Sequence, residues 1–131
     1  SNKNMRFFVA EYIREQVFYL FKDEVPYEIA VTIESFKEVD PNVTNGISAE
    51  ISASIIVNRA SQRAIVIGSG GKMIKEIGTR ARKKIEELLG GKIFLNLHVK
   101  VSPKWFNNNF VLESLGLPRA KLSHRVWRSS P

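Results

Sequence analysis

The chain has 131 residues, 44% apolar and 25% charged, enough for one hydrophobic core and too few for two domains of comfortable size. There are 20 Lys plus Arg against 13 Asp plus Glu, a formal charge of +7. Polyanions are therefore the favoured partners, nucleic acid first and an anionic membrane surface second. With no cysteine, disulfides, zinc knuckles and thiol nucleophiles are excluded. No run approaches the roughly 20 apolar residues of a membrane-spanning helix.

In chain order, Val9, Ile13, Val17, Leu20 and Phe21 recur at helical spacing with Glu11, Arg14 and Glu15 between them, which predicts an amphipathic helix over residues 6–21 after a flexible start, 1–5. Pro26 ends it, because proline donates no helical hydrogen bond and pushes its predecessor toward extended geometry. Ile29, Val31 and Ile33 then alternate with Ala30, Thr32 and Glu34, the period of a half-buried strand over 27–39. Asn45-Gly46 is a hairpin signal. Beyond it Ile47, Ala49, Ile51, Ala53, Ile55 and Val57 alternate with Ser48, Glu50, Ser52 and Ser54, so a second strand pairs back on the first with one apolar and one polar face.

Residues 60–67 are ambiguous between a strand and a short buried helix, and Ser61 as an N-cap tips the reading toward helix. Gly68-Ser69-Gly70-Gly71 breaks the chain. Residues 73–89 are the most periodic segment, with Ile74, Ile77, Ala81, Ile85 and Leu88 on one side and Gly90-Gly91 as C-cap. Residues 92–101 return to period two and predict a third strand. A short helix over 106–115 and a mobile basic tail, 118–131, complete the expectation.

Three glycines in four positions before a long helix demand positive φ or close backbone approach. The helix start presents unpaired N–H groups and the positive end of its dipole, a natural phosphate site. Lys72 and Lys75 stand in that first turn, where the dipole disfavours cations unless an anion is bound nearby. Thr79, Arg82 and Lys83 continue their face. Neither familiar nucleotide motif fits. A P-loop would need glycine at Val66 and Ser or Thr at Met73, and the dinucleotide fingerprint would need glycine at Met73. The two histidines, His98 and His124, have no cysteine and no paired carboxylates to join them, so no active site is legible.

Ile67-Gly68-Ser69-Gly70-Gly71 ahead of a helix, in the order α-β-β-α-α-β, resembles a type II KH domain. That resemblance implies an α+β sandwich with a three-stranded sheet and a short C-terminal helix, spanning 6–117. The run from Arg59-Ala60-Ser61-Gln62-Arg63 to Gly68, then Ile77-Gly78-Thr79-Arg80-Ala81-Arg82, then Leu97-His98-Val99-Lys100-Val101 with Trp105, is similar to the C-terminal RNA-binding domain of the Era GTPases. Val9-Ala10-Glu11-Tyr12-Ile13-Arg14-Glu15 and Glu24-Val25-Pro26-Tyr27 fit the same family.

The resemblance implies that this chain is the KH part of a larger GTPase that assists ribosome assembly. The expected partners are single-stranded RNA, the 3′ end of small-subunit rRNA above all, and the small ribosomal subunit. The expected state is a monomer in a bacterial cytoplasm or an organellar matrix, with peripheral membrane contact as a further expectation. No cofactor is expected in this chain, and GTP and Mg belong to the missing GTPase domain. Gly68, Ser69, Gly70 and Gly71 would lie against the sugar-phosphate backbone, with Lys72, Lys75, Arg59 and Arg63 on phosphates and Thr79 and Arg82 farther along. Ile67, Ile74 and Ile77 would form an apolar floor for splayed bases. The alternative is a protein-interaction module whose basic helix docks on an acidic partner or a GTPase domain.

Overall fold

A computed structural model describes residues 2–21 and 29–103. The element order is α1 (Asn2–Phe21), β1 (Ala30–Glu38), β2 (Ile47–Val57), α2 (Ala60–Ile67), a single 3-10 turn (Ser69–Gly71), α3 (Lys72–Leu89) and β3 (Lys92–Val101). The α-β-β-α-α-β order and three-stranded sheet are those expected. The strands lie in the order β1-β2-β3. β1 pairs antiparallel with β2, and β2 pairs parallel with β3. A parallel neighbour needs a long crossover, and α2, the glycine loop and α3 supply it.

α1 and α3 lie side by side on one face of the sheet, over β1 and β3 respectively. Val9, Ile13, Val17 and Phe21 are buried along α1, one per turn, the row that helical periodicity places on one stripe. From α3 come Ile77, Ala81 and Ile85, all fully buried. From the sheet come Val31, Phe36, Ala49, Ile51, Ala53, Ile55, Val57, Ile93 and Val99. The helix pair is also tied at its surface, where Lys84 reaches Glu15 at 3.2 Å and lies 5.2 Å from the Tyr12 ring centre. Arg80 lies 5.8 Å from the Tyr19 ring centre.

The structure corrects the sequence reading in four places. α1 begins at Asn2, so residues 2–5 are no flexible start. Met5 already packs against the core, one turn before the stripe read from Val9 onward. β1 starts at Ala30 rather than residue 27, and residues 27 and 28 lie outside the described residues, as do the helix expected over 106–115 and the tail. The N-cap of α2 is Arg59, not Ser61. Gln62 turns back instead, its Oε1 accepting from the backbone N–H of Asn58 and of Arg59, each at 3.0 Å. One buried amide thus satisfies two donors at the helix start.

The fourth correction concerns β2, where polar alternation fails after Ala53. Ser54, Ile55, Ile56 and Val57 are all buried, so the end of the central strand is covered on both faces. On the face away from the helices Lys100 of β3 meets Glu34 of β1 at 2.5 Å. Ser54 is buried near the Glu34 carboxylate, its hydroxyl without a full hydrogen bond among the described residues.

That pair has a pH signature. Hydrogen bonding to Lys100 holds the Glu34 carboxyl below its ordinary value of 4.5, against a smaller opposing effect of burial and with further help from Ser54. A folded-state value below the unfolded one adds stability that is present above the unfolded value and lost as pH falls through the folded one. Because both side chains are substantially exposed, the effect is at most about 0.5 kcal/mol. Lys100→Met should therefore lower the melting temperature slightly at pH 7, and the difference from wild type should shrink as pH falls below the ordinary glutamate value and on through the lowered one. A gap that stays constant from pH 7 to pH 3 would show that the pair contributes through packing alone.

Candidate nucleic-acid interface

The glycine loop is built from two local backbone hydrogen bonds and three unusual backbone conformations. Gly68 N–H donates to Ala64 O at 2.9 Å, closing α2, and Gly71 N–H donates to Gly68 O at 3.1 Å. Gly68 (φ 77), Gly70 (φ 65) and Gly71 (φ 78) all have positive φ, which is why the sequence places glycine there. A Cβ at Gly70 or Gly71 would meet nothing within 4 Å, so these two glycines present bare backbone to open space.

α3 follows at once. It has no side-chain N-cap and no acidic residue in its first turn, where helices ordinarily carry Ser, Thr, Asp or Asn. The 3-10 turn before it takes up part of that role, with Gly71 N–H donating to Gly68 O and Lys72 N–H to Ser69 O, but among the described residues no side chain caps the helix. The dipole of an 18-residue helix therefore meets no negative side chain at its start, an arrangement that favours an anion there.

Lys72 and Lys75 flank this start, both exposed and without an ion pair among the described residues. Ser69 and Gly70 are exposed, while Ile67, Ile74 and Thr79 are half-buried. Ile67 and Ile74 pack against the core with part of their surface still open. Ile77 does not join them. It is fully buried and lies behind the floor as a core residue, because the helical period that packs α3 is the same period that was read as a base-facing row.

The remaining cations are less alike than the sequence makes them. Arg59 is exposed but stands at the far end of α2 from the loop, roughly 12 Å away along an eight-residue helix. Arg82 lies 4.0 Å from Glu86, and Arg80 bridges Glu76 at 2.7 Å. Arg63 donates from Nε to Val99 O on β3 at 3.3 Å.

Three residues that hold the site together were not singled out from the sequence. Gln62 anchors α2. Glu86 accepts from the Ile93 N–H at 3.1 Å and ties the end of α3 to the start of β3. Gly78 sits where α3 meets the sheet, and a Cβ there would make an ordinary van der Waals contact with Leu97 Cδ1 at 3.6 Å. Gln62 alone left a sequence signal, the Gln three residues after the N-cap of a capping box.

A helix-loop-helix turn on Gly-x-x-Gly, set beside the edge strand of a three-stranded α+β sheet, defines a KH domain. The chain belongs to the KH domain family, whose pattern it matches over residues 24–106. Within that family it is similar to the C-terminal region of the GTPases called Era. It is 50% identical over 111 residues to GTPase Era of Geotalea uraniireducens, covering 85% of this chain and 36% of that protein. Against GTPase Era of Thermosipho melanesiensis the identity is 45% over 112 residues, with 86% and 36% covered. Among solved structures it superposes on Era in complex with MgGDPNP and nucleotides 1506–1542 of 16S ribosomal RNA, with TM-score 0.76 and 38% identity over 86% of this chain and 36% of that one. Aquifex aeolicus Era bound to GDP and AlF4− gives TM-score 0.73 and 37% identity over 85% and 36%. The chain thus spans about a third of the length of these relatives.

Proposed function

We propose that this chain is the RNA-gripping module of an Era-type GTPase, binding the single-stranded 3′ end of small-subunit rRNA during ribosome assembly. The observation that carries it is the start of α3, without a side-chain cap, behind a Gly-x-x-Gly loop whose Gly70 and Gly71 face open space. Backbone N–H groups at Ser69, Gly70 and the first turn of α3 hold one phosphate, and Lys72 and Lys75 hold its neighbours. Ile67 and Ile74 offer apolar surface to bases turned out of the strand, as KH modules clamp about four nucleotides. The Era relative solved with a 16S rRNA segment and MgGDPNP supports the choice of RNA. It also supports GTP and Mg in a GTPase domain outside this chain.

A cytoplasmic or organellar-matrix location and a monomeric state accompany this reading, and no helix among the described residues is long and apolar enough to cross a membrane. The pairing of Arg80, Arg82 and Lys84 with glutamates of this same chain weakens the alternative in which α3 docks on an acidic protein. Its basic face is half neutralised already.

Titration with a short single strand from the 3′ end of 16S rRNA tests the proposal. With three or four phosphates engaged, log K should fall against log salt with a slope of about −2 to −3, at about −0.7 per phosphate for single strands. The same sequence annealed to its complement should bind at least about tenfold more weakly, since a groove that turns bases out does not admit a duplex. A flat salt response, or equal binding of strand and duplex, would overturn it.

A further inference from the structure

β3 is an edge strand, and its outward backbone groups can be assigned. Ser102 N–H donates to Val57 O at 2.8 Å, so even-numbered residues turn their N–H and C=O toward β2 and odd-numbered ones turn theirs outward. Two helix side chains reach that outward edge. Glu86 of α3 accepts from Ile93 N–H, and Arg63 of α2 donates to Val99 O. Among the described residues none reaches the outward groups of Leu95 and Leu97 between them. Arg63 sits one turn before Ile67 and the glycine loop, so its bond fixes the spacing between α2, which leads into the loop, and the strand against which α2 packs.

We infer that Arg63 is a positioning residue and not a phosphate ligand: through the Val99 carbonyl it clasps α2 to the free edge of β3 and so sets the width of the RNA groove. This rests on the RNA reading above. The guanidinium is suited to the task because its Nε–H lies in a rigid plane and points in one direction, whereas a lysine ammonium is a freely rotating point charge. The two roles make opposite demands. A phosphate ligand needs the charge, and a clasp needs the plane.

The test compares Arg63→Gln and Arg63→Lys with the wild-type chain, using the same 16S rRNA 3′-end strand. Both variants should bind about three- to tenfold more weakly, lysine no better than glutamine, with melting temperatures close to wild type. The salt slope should be unchanged in both. Hydrogen exchange of the free protein should quicken at the His98 and Lys100 amides, next to the lost clasp, and stay as it was near Phe94. Full binding by Arg63→Lys, with the Arg63→Gln slope smaller by about 0.7, would make Arg63 a phosphate ligand and overturn the inference. Undiminished affinity in both variants would overturn it too. Failure of the wild-type chain to bind would sink the RNA reading and the groove role with it, while the exchange comparison would still decide whether the clasp exists.

Discussion

Placing aspartate at both Ser69 and Gly70 should abolish RNA binding and leave the domain folded. These two residues form the exposed middle of the loop, the point at which the proposed phosphate would meet the start of α3. A carboxylate there does two things. It caps the helix with the protein's own negative charge, and it repels the phosphate it replaces. Two like charges about 4 Å apart oppose each other by about 4 kcal/mol at an effective dielectric of 20. Even with heavy screening, the pair should weaken binding by at least about 100-fold.

The fold should tolerate the change. Gly70 has φ 65 and ψ 19, a left-handed conformation that aspartate visits more readily than most residues, and a Cβ there meets nothing within 4 Å. The cost is about 1 kcal/mol, offset in part by the new cap, so the melting temperature should move by only a few degrees. Fluorescence anisotropy with a labelled strand reads the first effect and circular dichroism the second. Wild-type affinity in a folded double variant would remove the loop from the interface.

The loop and the helix behind it were legible because both leave local marks. Positive φ selects glycine, and an amphipathic helix repeats its apolar residues every three or four positions. β3 and the hairpin were legible for the same reason, through period two and Asn45-Gly46. The missing cap of α3 is also a local fact, and Lys72 and Lys75 in its first turn advertised it. What sequence could not give was partnership across the chain. Arg63 and Lys72 look alike as cations near a glycine loop, yet one bonds to a carbonyl 36 residues away and the other bonds to nothing described. Arg82 likewise is drawn to Glu86.

Ile77 failed for a different reason. Floor and core are populated by the same residue type at the same spacing, and only the full burial of Ile77 in the folded chain separates them. The N-cap of α2 was misplaced because Ser61 is a good cap by type, while the buried Gln62 amide wins by meeting two donors at once. The polar face of β2 closed over at Ser54 because Glu34 and Lys100 come from strands on either side of it, a juxtaposition that exists only in the sheet.

The three positive-φ glycines of the loop should separate sharply on substitution, and Gly68→Ala should be the severe case. Gly68 has φ 77 and ψ 170, a region essentially closed to residues with a Cβ, at a cost of about 1–3 kcal/mol. Space adds to strain. A Cβ at Gly68 would stand 2.6 Å from Met73 Cγ, and 2.9 Å from both Met73 Cβ and Met73 N. The clash with Cγ can be relieved by rotating Met73, but its Cβ and its backbone N, in the first turn of α3, cannot move without shifting the helix.

Gly68→Ala should therefore lose about 3 kcal/mol or more of stability, read as a lower denaturant midpoint at similar slope. Gly70→Ala and Gly71→Ala, in left-handed but open positions, should each lose only about 1 kcal/mol. Shortening the neighbour with Met73→Ala should recover little of the Gly68→Ala loss, since the contact with backbone remains. Equal midpoints for the alanine variants at 68 and 70 would refute this division. If it holds, Gly68 aims the loop by fixing how α3 leaves α2, while Gly70 and Gly71 keep the aimed surface bare enough for a phosphodiester backbone to approach.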